Sequence, residues 1–110
     1  MIASIQSALS DSDLLDLQVR ILETLVHLEA TGVIIDVSAL DVLDSFATRT
    51  LCEIASAVQL RGAKTVIVGI QPEVALSMVL LGLTLKDVAS ALDLDAGLDI
   101  LRRSEALADA

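Results

Sequence analysis

The chain has 110 residues, which is enough for one domain with its own apolar core. Its hydrophobic fraction is 55%, and with one Phe and no Trp or Tyr the hydrophobic residues are almost all aliphatic. We expect some of these aliphatic side chains to be buried against other chains. The net charge of −9 disfavours binding to nucleic acid or anionic lipid and favours a basic partner, while one Cys and one His exclude an intramolecular disulfide and argue against structural zinc.

The first predicted elements are a short strand at residues 2–6 and an amphipathic helix. The sequence SDSD at residues 10–13 offers N-caps, and the spacing of apolar residues is helical from Leu14 until Thr31 and Gly32 end the helix. The side chains predicted to share its buried face are Leu14, Leu15, Gln18, Ile21, Leu22, Leu25 and Leu28. His27 falls on the opposite face, so we expect it to be a solvated surface residue.

The apolar run GVIIDV at residues 32–37 predicts a strand buried on both faces, hence central in the sheet and parallel to a neighbour. A loop at residues 38–44 leads to a second helix, predicted from about Ser45 to Leu60 and ended by Arg61 and Gly62. The predicted inner face comprises Phe46, Ala47, Leu51, Ile54, Ala57 and Val58. The predicted outer face comprises Thr48, Arg49, Glu53, Ser56 and Gln59.

Residues 64–69 (KTVIVG) predict a second buried strand, and Pro72 near the first position of the next helix is well placed because its missing N–H costs nothing there. That helix should end at Gly82, a short extended piece should cover residues 87–90, and a last helix should run from Asp93 or Asp95 through Leu101. The alternation predicts a single α/β domain over residues 1–110, with about four strands in a mostly parallel or mixed sheet and about four helices.

Sequence patterns for catalysis are missing from the chain. It contains no GxGxxG, GxxxxGK[ST] or GxSxG motif, and Cys52 falls off the buried face of its helix, where we expect a partly exposed and inert thiol. Asp36, Asp41 and Asp44 could be interpreted as a magnesium cluster, although turn and N-cap roles are favoured. We therefore predict a protein that is not an enzyme and has no catalytic residue, metal or cofactor.

The N-terminus has no basic segment typical of a signal peptide, and the longest mainly apolar stretch, residues 74–81, is shorter than the ~20 residues of a membrane span. A soluble, cytoplasmic protein is therefore expected.

The remaining question concerns DVLDSFA at residues 41–47, where a loop from the central strand meets a helix. Loops of this kind often carry ligands in open α/β sheets. Asp44 or Ser45 could be the N-cap, and our interpretation is that Ser45 caps the helix.

The segments DVSALDVLDSFATRTL and GAKTVIVGIQPEVA, taken together, resemble the STAS family, and within it the RsbS-like scaffold proteins of the stressosome. The matching elements are Asp44-Ser45-Phe46, the segment from Gly62 through Lys64, the segment from Gly69 through Pro72, and LDLDAGL at residues 92–98. Domains of this family usually open with two strands. No segment of this sequence resembles the first of these strands, since the chain begins near the second one, and its lack would leave a sheet edge open or occupied by a partner.

The resemblance implies a non-catalytic scaffold that sequesters an RsbT-like switch kinase and releases it when Ser45 is phosphorylated, in a bacterial stress response with a sigma-factor output. It also implies RsbR-like STAS paralogues in a shared assembly, an RsbX-like phosphatase, and a homo-oligomer, either a dimer or larger. Two alternatives stay open: a simple anti-anti-sigma factor that binds an anti-sigma kinase one to one, and a module that binds a small ligand or nucleotide.

The resemblance also indicates which side chains act near the modified serine. Asp41, Asp44, Phe46 and Arg49 are expected to contact the kinase. Ser77 is a second candidate for phosphorylation, since RsbR-type relatives carry a threonine at the matching place; otherwise its hydroxyl would simply bond a carbonyl of its own helix. The second face of that nearly all-apolar helix is expected to meet another protomer.

Overall fold

The computed structural model describes residues 1–6, 10–83, 85 and 88–109, with side chains through residue 104. Strands and helices alternate along the chain, as the sequence predicted. In chain order they are β1 (Ile2–Ser4), α1 (Asp11–Leu28), β2 (Gly32–Asp36), α2 (Ser45–Leu60), β3 (Lys64–Val68), α3 (Pro72–Leu80), β4 (Ala89–Ala91) and α4 (Leu94–Asp109). The predicted residue 87 of the last extended piece lies outside the described residues.

The four strands form one parallel sheet in the order β1-β2-β3-β4. Because the order never reverses, right-handed crossovers place α1, α2 and α3 on the same face of the sheet, and α4 folds back over the other face. β1 forms one edge of the sheet, on the side where the resemblance predicts an unpaired edge. The architecture is a single α/β domain with a parallel sheet, as predicted.

The central strands are apolar on both sides because both faces of the sheet are covered. Val33 and Ile35 of β2 belong to the core under α1, α2 and α3, whereas Ile34 lies under α4 with Val66 and Val68 of β3. This two-sided burial explains the continuous apolar run of β2. On the α4 side, a Cβ at Gly97 would stand only 2.6 Å from Val68 Cγ1, so glycine allows the helix to approach the sheet closely.

The predicted buried face of α1 is wrong at its two margins. Leu15 and Leu28 are exposed, and Leu17, which the prediction omitted, packs against the core. The helix ends at Leu28, before the predicted Thr31, because Glu29 adopts a left-handed conformation and its N–H bonds to the carbonyls of Leu25 and Val26. His27 is exposed, as predicted.

The predicted outer face of α2 is wrong at Thr48, whose side chain is only 3% exposed. Thr50 is buried as well. The reason is that α2 contacts both α1 and β3, so more than one side of this helix is covered. Arg49, Glu53, Ser56 and Gln59 are exposed, as the pattern indicated, and Cys52 is half-buried.

Candidate functional site

The carboxyl ends of the parallel strands meet at one edge of the sheet, which is where ligands and partners usually bind in open α/β folds. Among the loops at this edge are residues 37–44 between β2 and α2, called the serine loop below, and residues 69–71 between β3 and α3. The candidate site consists of the serine loop and the first turn of α2.

The serine loop is held by its apolar side chains and presents its other side chains to solvent. Val37, Leu40 and Leu43 are buried, and the N–H of Leu40 bonds to the carbonyl of Val37 at 3.0 Å. Asp41 is exposed, and Val42 is 66% exposed. The exposed side of the loop is therefore acidic with one apolar side chain at its centre.

Helix α2 is capped by Asp44. Its backbone is extended, its Oδ1 accepts a hydrogen bond from the N–H of Ala47 at 2.7 Å, and its carbonyl accepts one from the N–H of Thr48 at 2.9 Å. Our interpretation of Ser45 as the N-cap is therefore wrong. The chain is still extended at residue 44 and turns helical at residue 45, so the carboxylate of Asp44 reaches the helix N–H groups and Ser45 becomes the first helical residue.

Ser45 is exposed, and within the described part of the chain its hydroxyl makes no hydrogen bond. It lies at the positive end of the helix dipole, beside backbone N–H groups that have no partner inside the helix. Arg49 is four residues further along, hence on the same side of α2, and it is also exposed. Among the described residues the one ion pair joins Arg103 to Asp99, so the Arg49 guanidinium is available to a new anion.

The residues predicted to surround Ser45 are thus brought together by the first turns of α2 and the loop before it. Asp41, Asp44 and Arg49 are exposed, whereas Phe46 is half-buried and its carbonyl accepts a hydrogen bond from Thr50 Oγ1 at 2.9 Å. The predicted cap role thus passes from Ser45 to Asp44.

Ser77 is separate from this group, on α3. It is exposed, and among the described residues its hydroxyl does not bond a helix carbonyl. Around it lie the exposed residues that we call the apolar α3 face, between 60% and 76% exposed. This face consists of Leu76, Val79, Leu80 and Leu81. Only Val74 and Met78 of α3 are buried in the core, so the helix keeps an apolar surface toward solvent.

The carboxylates near the serine loop have local structural roles. Asp36 Oδ1 accepts a hydrogen bond from the N–H of Ser38 at 2.9 Å, and Asp44 caps α2. Across the described ranges no three His, Cys, Asp or Glu side chains are arranged to hold a metal ion. The geometry therefore gives Asp36, Asp41 and Asp44 no shared metal site.

A cavity of about 80 Å³ lies under the serine loop, against α1 and α2. It is lined by Ile5, Leu14, Leu40, Val42, Leu43, Asp44, Ala47 and Leu51. Ligand sites for molecules of nucleotide size have volumes of roughly 300 Å³ or more. This cavity is too small for a nucleotide, whereas an open cavity of about 460 Å³ lies between β1 and α1.

A contact between the two loops was not predicted from the sequence. Gln71 Nε2 donates a hydrogen bond to the carbonyl of Ser38 at 2.8 Å, and Gly69 packs against the same residue. The signal in the sequence was a glutamine at the position before Pro72, where Ser, Thr, Asp or Asn usually begins a helix.

In the part of the chain that the structure describes, each helix is either too short or too polar to cross a lipid bilayer.

Comparison with known proteins shows the family of the chain. The model of the STAS domain matches residues 1–93. RsbT co-antagonist protein RsbRA of Bacillus subtilis (strain 168) is 34% identical over 83 residues, which are 72% of this chain and 30% of the relative. The chain thus spans about a third of the length of that relative.

Two solved structures share both fold and sequence with the chain. A serine-to-glutamate variant of RsbS from Moorella thermoacetica is 35% identical, with a TM-score of 0.79, over 96% of this chain and 89% of that one. The second is a chain from a structure of the stressosome, which is described there as a signal integration and transduction hub. It is 33% identical, with a TM-score of 0.75, over 94% of this chain and 90% of that one. The STAS domain of a SulP transporter from Vibrio cholerae, at 17% identity and a TM-score of 0.65, shares the fold alone.

Proposed function

This chain belongs to the STAS family, and from that premise we propose that it is a scaffold subunit of the stressosome whose Ser45 is phosphorylated by a switch kinase. In this proposal the unphosphorylated scaffold sequesters an RsbT-like kinase, and phosphorylation releases the kinase to act in a stress-response pathway. The similarity to RsbS and to a stressosome chain supports the scaffold role. We take residues 1–110 as one STAS domain, since α4 beyond the matched residues packs on the sheet through Leu98 and Leu101.

The observation that carries the proposal is the state of Ser45. Its hydroxyl is exposed and unbonded within the described residues, and it follows directly after the residue that caps the helix. A kinase can therefore reach the oxygen without first breaking a hydrogen bond that supports the fold. Because Asp44 performs the capping, modification of Ser45 leaves the helix start in place.

Phosphorylation would act through charge at the docking surface. A phosphate adds nearly two negative charges, which the helix N-terminus and the Arg49 guanidinium can stabilise in place. Asp41 and Asp44 already make this surface acidic. The added charge, and the pairing of Arg49 with it, change the electrostatic complementarity between this surface and the kinase. The affinity of the kinase for the protein therefore falls, although the domain stays folded.

We further propose that the apolar α3 face contacts another protomer, either a copy of this chain or an RsbR-like paralogue. Exposed apolar surface of this extent usually marks an interaction site. The similarity to RsbRA, whose name describes it as a co-antagonist of RsbT, supports a shared assembly and a shared kinase. An RsbX-like phosphatase would reset Ser45, and the assembly would be cytoplasmic and without catalytic activity of its own. Ser77 on this face remains a second candidate for phosphorylation.

The test uses the purified RsbT-like kinase, ATP and three forms of the protein. These are the wild type, Ser45→Ala, and Ser56→Ala as a control that removes another exposed serine of the same helix. Intact-mass and phosphopeptide spectra should show one phosphate on the wild type and on Ser56→Ala, and none on Ser45→Ala. Phosphate on Ser45→Ala, or none on the wild type with a kinase that is active on another scaffold, would reject Ser45 as the switch.

The alternative of a one-to-one anti-anti-sigma factor predicts a different particle size. Mass photometry of the protein mixed with an RsbR-like paralogue should detect a large assembly if the chain is a stressosome scaffold. Under the alternative, only a small, discrete complex with the kinase would form.

A further inference from the structure

The serine loop is tied to the start of α3 by a side chain that would ordinarily be expected to cap that helix. Gln71 occupies the N-cap position of α3, yet its side chain makes no capping hydrogen bond. Instead Nε2 donates to the carbonyl of Ser38 at 2.8 Å, across 33 residues of sequence. Glutamine is a poor N-cap because its side chain is too long, but that length is what spans the gap between the two loops.

Ser38 is held on three sides by these contacts. Its N–H bonds to Asp36 Oδ1 at 2.9 Å, and its carbonyl bonds to Gln71. A Cβ on Gly69 would stand 2.7 Å from the Cβ of Ser38 and 3.1 Å from its Cα, so the β3–α3 loop can reach Ser38 only with glycine there. Gly69 also has a φ of +80°, which glycine adopts without strain. The position of Ser38 is therefore fixed by polar and steric contacts from the end of β2 and from the β3–α3 loop.

We propose that Gln71 is a positioning residue for Ser45. This inference rests on the proposed function, because it concerns how the serine loop is presented to the kinase. Leu40 and Leu43 anchor the end of the loop near α2, and the hydrogen bond from Gln71 anchors the end near β2. Asp41 and Val42 lie between the buried Leu40 and Leu43, and they are exposed shortly before Ser45 in the chain.

Without Gln71, the serine loop would populate further conformations, and kinase binding would have to select the competent one. The apparent affinity falls in proportion to the fraction of molecules whose loop can bind the kinase. The chemical step within the complex is unchanged. A single hydrogen bond supports a change of roughly two- to tenfold in that fraction. The expected signature is therefore a raised KM of the kinase for this protein with kcat nearly constant.

The experiment compares Gln71→Ala with Gln59→Ala, in which an exposed glutamine with no contact to the serine loop is removed from the far end of α2. Hydrogen exchange is measured for the amides of Ser38 and Leu40, and phosphorylation of Ser45 is followed at several protein concentrations. Gln71→Ala should speed exchange at both amides and raise KM by about two- to tenfold. Gln59→Ala should match the wild type in both readouts.

Unchanged exchange in Gln71→Ala would overturn the proposal, because the hydrogen bond would then not hold the loop. Faster exchange with an unchanged KM would also overturn it, since the loop would be held without any effect on presentation of Ser45. Failure of the proposed function looks different: wild type, Gln71→Ala and Gln59→Ala would all lack phosphate at Ser45, whatever their exchange rates.

Discussion

The carboxylate of Asp44 and the backbone nitrogen of Ala47 lie 2.7 Å apart, so the residue before Ser45 fixes the start of the helix. This contact separates capping from the proposed phosphorylation, because the side chain that stabilises α2 is Asp44 and not Ser45. The separation makes each role testable by substitution.

Asp44→Ala should destabilise the domain by about 1 kcal/mol, since the N–H of Ala47 loses its acceptor. Asp44→Asn keeps an acceptor oxygen at the same place and should retain most of the stability. Urea unfolding measures both, with Asp41→Ala as a control that removes a nearby exposed carboxylate with no capping role. Equal losses for Asp41→Ala and Asp44→Ala would contradict the assignment of the cap.

Ser45→Glu should leave the domain folded and stabilise it by about 0.3–1 kcal/mol, because it places a negative charge at the positive end of the helix dipole. Part of the gain should depend on Arg49 at the i+4 position, with a coupling of roughly 0.2–0.5 kcal/mol. A double-mutant cycle with Arg49→Ala, read by thermal unfolding at low salt, measures that coupling. Kinase binding by Ser45→Glu should be weaker than by the wild type in calorimetry. A melted domain would refute the view that charge acts only at the docking surface.

Two buried threonines of α2 should respond in opposite ways to replacement by valine. Thr48 Oγ1 has no hydrogen-bond partner among the described residues, so Thr48→Val removes an unsatisfied hydroxyl and should be neutral or stabilising. Thr50 Oγ1 donates to the carbonyl of Phe46, so Thr50→Val should cost about 1 kcal/mol. The two variants are matched in chemistry and helix, and chemical denaturation compares them. A loss at Thr48 as large as at Thr50 would indicate that the Thr48 hydroxyl has a partner.

Leu80→Glu should prevent assembly without changing the stability of the isolated domain. Leu80 is exposed on the apolar α3 face, so a charge there has no folding cost but cannot be buried against another protomer. The assembly is measured by mass photometry with an RsbR-like paralogue. Leu60→Glu, at a leucine near the end of α2 that is even more exposed than Leu80, is the control. If both variants assemble like the wild type, the apolar α3 face is not the contact.

The sequence by itself determined the element order and the place of the DSF element between β2 and α2. Largely apolar, β-branched runs such as GVIIDV indicate strands covered on both faces, and their alternation with helical patterns leaves few topologies besides a parallel sheet. The DSF element, which follows the loop after β2, then lies at the edge of the sheet where the parallel strands have their carboxyl ends. Local periodicity needs no knowledge of distant contacts, which is why these predictions could be made from the chain alone.

Only the tertiary structure decided which polar side chains are buried by a second neighbouring element and which contacts join separate loops. Thr48 is buried because α2 packs against both α1 and β3. The apolar pattern of the helix indicates one buried face and does not show that a second side is covered. Asp44 rather than Ser45 caps α2 because the chain turns helical at residue 45, a matter of backbone angles that both residue types permit. The contact of Gln71 with Ser38 depends on β2 and β3 lying side by side, which brings together loops 33 residues apart.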